Sequence, residues 1–115
     1  MIEVMSIAAQ GGVLFRRIAT LPASATERRH PGRIVVAHSE TGHHHAIDDL
    51  AVRLFDRQPL HPWICYLSVD GEFADVVHHR PYDTHQTLRL TRGVWEVRRQ
   101  REWSFEQPHG QMVVD

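Results

Sequence analysis

This sequence of 115 residues contains no lysine, no asparagine and a single cysteine. All 13 basic residues are arginine, which excludes Schiff-base chemistry, a pyridoxal-phosphate anchor and a Walker A lysine. The absence of asparagine excludes an N-glycosylation sequon. A single cysteine, Cys65, excludes an internal disulfide and the cysteine-rich zinc ribbons and iron–sulfur sites. Histidine is therefore the reactive residue type that stands out.

Long apolar runs are missing as well. Every apolar run is far shorter than the roughly 20 residues that a helix needs to cross a bilayer. The N-terminus carries Glu3 and no basic region, so we expect no signal peptide, no membrane partner and a cytoplasmic location. The formal net charge is −1 with neutral histidine, which argues against nucleic acid as a partner.

Short apolar segments separated by Gly, Pro, Asp and Ser clusters are typical of strands. We therefore expect an all-β fold, a single small β-barrel or sandwich of about eight short strands over residues 1–115. Residues 1–11 are expected to be disordered or an edge strand, and residues 104–115 an irregular tail. The predicted strands are 13–19, 33–38, 42–48, 52–55, 64–68, 73–77, 86–90 and 94–103.

Glycine-containing clusters predict tight turns between several of these strands. Residues 39–42 are expected to close one hairpin, Asp70-Gly71 a second and residues 91–93 a third. One competing interpretation places a short helix over residues 46–57, where apolar side chains have helical spacing.

Ten histidines are present, and most lie in two clusters. In the first cluster, His43 and His45 are two residues apart, so on a strand their side chains would project from one face. Ile47 shares that face, which suggests that it points inward, whereas His44 would point the other way. Two imidazoles on one face can share a metal ion.

A third ligand must come from elsewhere in the chain, and His85 is the first choice. Alternation along residues 86–90 puts His85 on the outer face unless it lies in the preceding loop. The sequence thus predicts a divalent metal site of His43, His45 and His85, with zinc expected and iron or manganese as alternatives. Further candidate ligands are His38, His79, Glu40 and Asp83.

Two functions without a metal compete with this hypothesis. The first is a non-catalytic binding or assembly module, a homo-oligomer whose histidines are surface or interface residues.

If a metal is bound and is catalytic, three ligands leave a position for an activated water. A general base would then come from Glu40, Asp83 or His38, but no small-molecule substrate follows from the sequence.

The second competing function is anion or single-strand binding through the segment 94–103. Arg99, Arg101 and Trp103 share one face of this predicted strand. The structural alternative, which we favour, buries Trp95 and Val97 and pairs the arginines with acids such as Asp75. Similarly, Cys65 lies in an apolar strand and is interpreted as a buried structural residue.

The sequence resembles a small uncharacterised bacterial and phage protein family with an opening GDVLL, a TGHxHxI motif, an HEEH motif, a GxY turn and a closing QREY. The resemblance places His43, His45 and His85 on family motif positions, whereas Tyr82 replaces the first histidine of HEEH. It implies no activity. The corresponding segments are Gly12–Arg16 (GVLFR), 41–47 (TGHHHAI), 83–85 (DTH), 93–95 (GVW) and 100–103 (QREW).

At the level of fold, two looser resemblances exist. The Gly-initiated apolar strand followed by a loop and a second strand is similar to the opening of GroES-type co-chaperonins. The pair His43 and His45, followed by residues 92–95, is loosely similar to a cupin, with Asp49 in place of the usual glutamate.

Overall fold

The computed structural model describes residues 1–30, 33–38, 44–61, 63–79, 86–99 and 113–114. All regular elements within these ranges are strands, which confirms the predicted all-β class. In chain order the strands are β1 (Ile2–Val4), β2 (Ile7–Gln10), β3 (Val13–Ile18), β4 (Thr26–Arg28), β5 (Arg33–His38), β6 (His44–Asp48), β7 (Val52–Asp56), β8 (Ile64–His79), β9 (Leu88–Arg99) and β10 (Val113–Val114).

Strands β8 and β9 are much longer than the sequence predicts, with 16 and 12 residues. Each continues through a segment that was expected to be a tight turn, Asp70-Gly71 in β8 and residues 91–93 in β9, so both predicted turns are wrong. The pairing register shifts between Val69 and Phe73, and Gly93 has a φ of 143°. Residues that suit a turn also suit a bulge, where a strand bends without leaving the sheet.

The long β8–β9 pair is shared by two halves of the sheet. In the first half, β7 pairs with the start of β8 and β3 with the end of β9. In the second half, β6 pairs with the end of β8 and β1 with the start of β9. The main path runs β10-β2-β3-β9-β8-β6-β5, with β4 beside β7. Within the described residues this path stays open, so the pairings do not close a barrel.

The hydrophobic core draws on both halves of the sheet. Phe15 and Trp95 belong to the first half, Ile34 and Ile47 to the second, and all four are buried in one cluster. The competing interpretation of a helix over residues 46–57 is wrong, because β6 and β7 occupy this segment as strands, as the strand prediction expected. The predicted pairing of the strands around residues 39–42 is confirmed, since β5 and β6 pair antiparallel.

The Arg17 side chain packs over β9 at Gly93, where the strand has its positive φ. Its guanidinium carbon lies 5.0 Å from the centroid of the buried Trp95 ring. The guanidinium donates to the backbone oxygens of Met5 and Arg92, over 3.1 and 2.6 Å, and to the Thr91 hydroxyl. Gly93 lies directly beneath it, and a Cβ atom there would overlap the guanidinium. Gly93 therefore meets two requirements at once, a positive φ and a close contact.

We predict that Gly93→Ala lowers the free energy of unfolding by about 1–3 kcal/mol, the usual cost of a side chain in a sparsely populated backbone conformation. Gly71→Ala is the matched control, because its Cβ would meet the Ala51 Cβ at an ordinary 3.5 Å. Urea unfolding of both variants checks this. Equal effects of the two substitutions would contradict the assignment.

Candidate functional site

His45 is the member of the predicted ligand set that the structure describes. His43 and His85 lie outside the described residues, as do the further candidates Glu40 and Asp83. His45 lies on β6 with 5 % of its surface exposed, two residues before the fully buried Ile47. Its side chain is therefore directed inward, because residues i and i+2 of a strand share a face.

The ring of His45 stacks on the ring of His78, its cross-strand neighbour on β8. The ring centroids are 4.2 Å apart and the planes differ by 7°. A metal ion binds in the plane of an imidazole at about 2.0–2.1 Å from the nitrogen. An ion in the plane of one ring therefore lies outside the plane of the other, and this stack does not chelate one ion with both rings.

Backbone register brings the described histidines of both clusters to one end of the sheet. His44 on β6 pairs with His38 on β5 and with His79 on β8. His45 pairs with Ala37 and His78 in the adjacent positions. Histidines that are far apart in the chain are thus neighbours across three strands.

Gln10 is the central polar residue at this end and was missed by the sequence analysis. It is fully buried at the end of β2, and its Nε2 donates to the backbone oxygens of Val76 and Gln86 over 3.0 and 2.9 Å. Its Oε1 lies 2.8 Å from Nδ1 of His45. The available signal was a single amide closing the apolar run of residues 7–9, but nothing in the sequence pairs it with a histidine.

Of the structural alternative for residues 94–103, the burial of the apolar side chains is confirmed, whereas the expected pairing with Asp75 is not found among the described residues. Trp95 and Val97 are buried in the core, as expected. Arg99 Nη2 donates to the backbone oxygen of Val36 over 3.2 Å, whereas Arg101 and Trp103 lie outside the described residues. The acid expected opposite these arginines, Asp75, pairs instead with Arg89.

Cys65 is buried in the core, in agreement with a structural role. Burial raises the pKa of its thiol to about 11, and the positive charges of Arg99 and Arg28 offset only part of this effect. A nucleophilic cysteine needs a lowered pKa, so the environment works against thiolate chemistry.

Two further observations concern the part of the chain that the structure describes. There, no group of three or more His, Cys, Asp or Glu side chains is arranged to hold a metal ion. Over the same residues, no helix has the length and apolar character needed to span a membrane.

The raised pKa of Cys65 predicts a pH-dependent loss of stability. The unfolded chain releases the thiol proton near its ordinary pKa of 9.0, while the folded chain retains it up to about 11. The folded state thus binds more protons in this window, and the free energy of unfolding falls as pH rises through it. We expect Cys65→Ala to show a shallower fall between these pH values in chemical denaturation. Since both proteins share all other titrating groups, parallel curves would contradict the prediction.

Comparison with known proteins adds one match. No curated protein and no solved structure matches the chain, so neither the GroES-type nor the cupin resemblance is confirmed. The sequence model of one family matches residues 9–100, a span that contains Gln10, His45 and His78. An uncharacterised family is what the motif resemblance led us to expect. The chain belongs to this family, described as Domain of unknown function (DUF8820).

Proposed function

We propose that this protein binds a divalent metal ion, zinc in preference to iron or manganese, at the end of the sheet where its histidine clusters meet. His45 would be one ligand, with His43 and His85 as the other two. The observation that carries the proposal is the position of Gln10, whose single amide contacts both the His45 ring and the backbone oxygen of Gln86.

Chain connectivity supports this ligand set. Consecutive Cα atoms are 3.8 Å apart across a trans peptide. Gln86 follows His85 in the chain, and its backbone oxygen shares the Gln10 amide with the ring of His45. His44 follows His43 and precedes His45. His43 is thus bonded to His44 and His85 to Gln86, and both of these neighbours lie at the end of the sheet that holds His45.

The surroundings of His45 also suit a metal ligand. Its ring is largely buried and its plane is held by the stack on His78 and the contact with Gln10. Metal-ligating histidines are characteristically oriented by a hydrogen bond to the second ring nitrogen. Three neutral imidazoles would leave one position of a tetrahedral zinc ion for water or another ligand.

We predict that the tag-free protein binds one equivalent of zinc and that His45→Ala weakens binding by more than the roughly 10- to 100-fold cost of losing an outer partner. His43→Ala and His85→Ala should have effects of the same order. His61→Ala is the matched control, because Nδ1 of His61 accepts the backbone N–H of Trp63 in a loop. Isothermal titration with each protein, with elemental analysis of the wild type, measures these changes.

The proposal fails if the wild type holds no stoichiometric zinc, iron or manganese, or if the three ligand variants bind as the wild type does. In that outcome the alternative of a non-catalytic assembly module becomes the leading hypothesis. The oligomeric state by light scattering, with and without metal, then tests this alternative.

A further inference from the structure

We infer that Gln10 is a positioning residue that determines which nitrogen of His45 carries the proton and which one is presented to a metal ion. The part of the inference that concerns the ion rests on the proposed function. Its first consequence, a single ring tautomer of His45, belongs to the metal-free protein and can be tested independently.

The orientation of the Gln10 amide follows from its surroundings. One of its terminal atoms lies 3.0 Å from the backbone oxygen of Val76 and 2.9 Å from that of Gln86. Backbone carbonyl oxygens only accept hydrogen bonds. The atom facing both must therefore be the NH₂ group, whose two hydrogens satisfy the two carbonyls. The opposite orientation would place three oxygens against one another in a buried site.

This orientation decides the proton position on His45. With its nitrogen committed to the two carbonyls, Gln10 presents Oε1, an acceptor, to Nδ1 of His45 at 2.8 Å. Nδ1 must then carry the hydrogen and donate it. In the neutral ring the lone pair lies on Nε2, and only a nitrogen with a lone pair coordinates a metal. Gln10 thus selects Nε2 as the ligand atom.

Two contacts also fix the ring orientation. Rotation of the ring by half a turn would exchange Nδ1 with a carbon and break the hydrogen bond to Gln10. The stack on His78, at 4.2 Å between centroids, opposes tilting out of the plane. Because Gln10 is itself anchored to β8 through Val76 and to the segment before β9 through Gln86, the ring is tied to three segments of the fold. Such outer partners commonly contribute 10- to 100-fold to metal affinity.

The tautomer is measured first, by long-range ¹H–¹⁵N correlation on ¹⁵N-labelled, metal-free wild type above the ordinary imidazole pKa of about 6.5. We expect a protonated Nδ1 and an unprotonated Nε2 for His45. On addition of zinc, the Nε2 signal should shift while Nδ1 stays protonated. A side chain at position 10 that only filled space would not select one ring tautomer.

Zinc affinity is then compared for Gln10→Met and for Gln58→Met. Gln10→Met removes the amide with little change of volume and should weaken zinc binding about 10- to 100-fold. Gln58→Met is the matched control, because it makes the same chemical change at an exposed side chain in the loop after β7. It should bind zinc as the wild type does.

The outcomes separate the two hypotheses. A His45 ring protonated on Nε2 in the metal-free protein overturns the inference, whatever the zinc affinity. Equal zinc affinities of Gln10→Met and the wild type also overturn it. An Nδ1-protonated ring whose Nε2 signal does not respond to zinc supports the role of Gln10 in selecting the tautomer and overturns the proposed metal site.

Discussion

The antiparallel pairing of β8 with β9 is the interaction on which the rest of the structure depends. These strands are long enough to be paired on their outer sides by different neighbours along their length, β7 and β3 in one half, β6 and β1 in the other. A β-bulge bends a strand and increases its local twist. The register shift after Val69 and the positive φ of Gly93 bend the pair, and the two halves then share one core.

The bend also explains the position of the candidate site. Because the halves face each other, β2 of the first half approaches β6 of the second, although the two strands do not pair. Their contact is made by polar groups, Gln10 and His45. A buried amide left without partners costs about 1–3 kcal/mol per group, so a fully buried glutamine is tolerated only where its donors and acceptor are all satisfied. The contact between Gln10 and His45 is therefore buried, and it gives the amide oxygen of Gln10 the partner that this burial requires.

Much of the architecture could be predicted from alternation and punctuation. Residues 13–18, 33–38 and 52–56 are strands close to where apolar runs predicted them. The wrong predictions are the two tight turns, at segments whose local sequence is compatible with two different structures. Asp70-Gly71 and residues 91–93 suit a hairpin turn and a bend within a strand equally well, and only the long-range pairing of β8 with β9 distinguishes these outcomes. Over residues 46–57 the strand prediction was correct, and the helical spacing that supported the alternative had no structural counterpart.

The sequence alone determined the chemistry that is present: ten histidines in two main clusters, no lysine, and one cysteine in an apolar run. It also indicated the inward direction of His45, because alternation along a strand is a local property. Only the tertiary structure decided what meets that ring. His78 is its partner through strand register, and Gln10 is its partner through the folding of one half of the sheet onto the other. Contacts between residues separated by more than thirty positions depend on how the sheet bends, and no local pattern encodes that geometry.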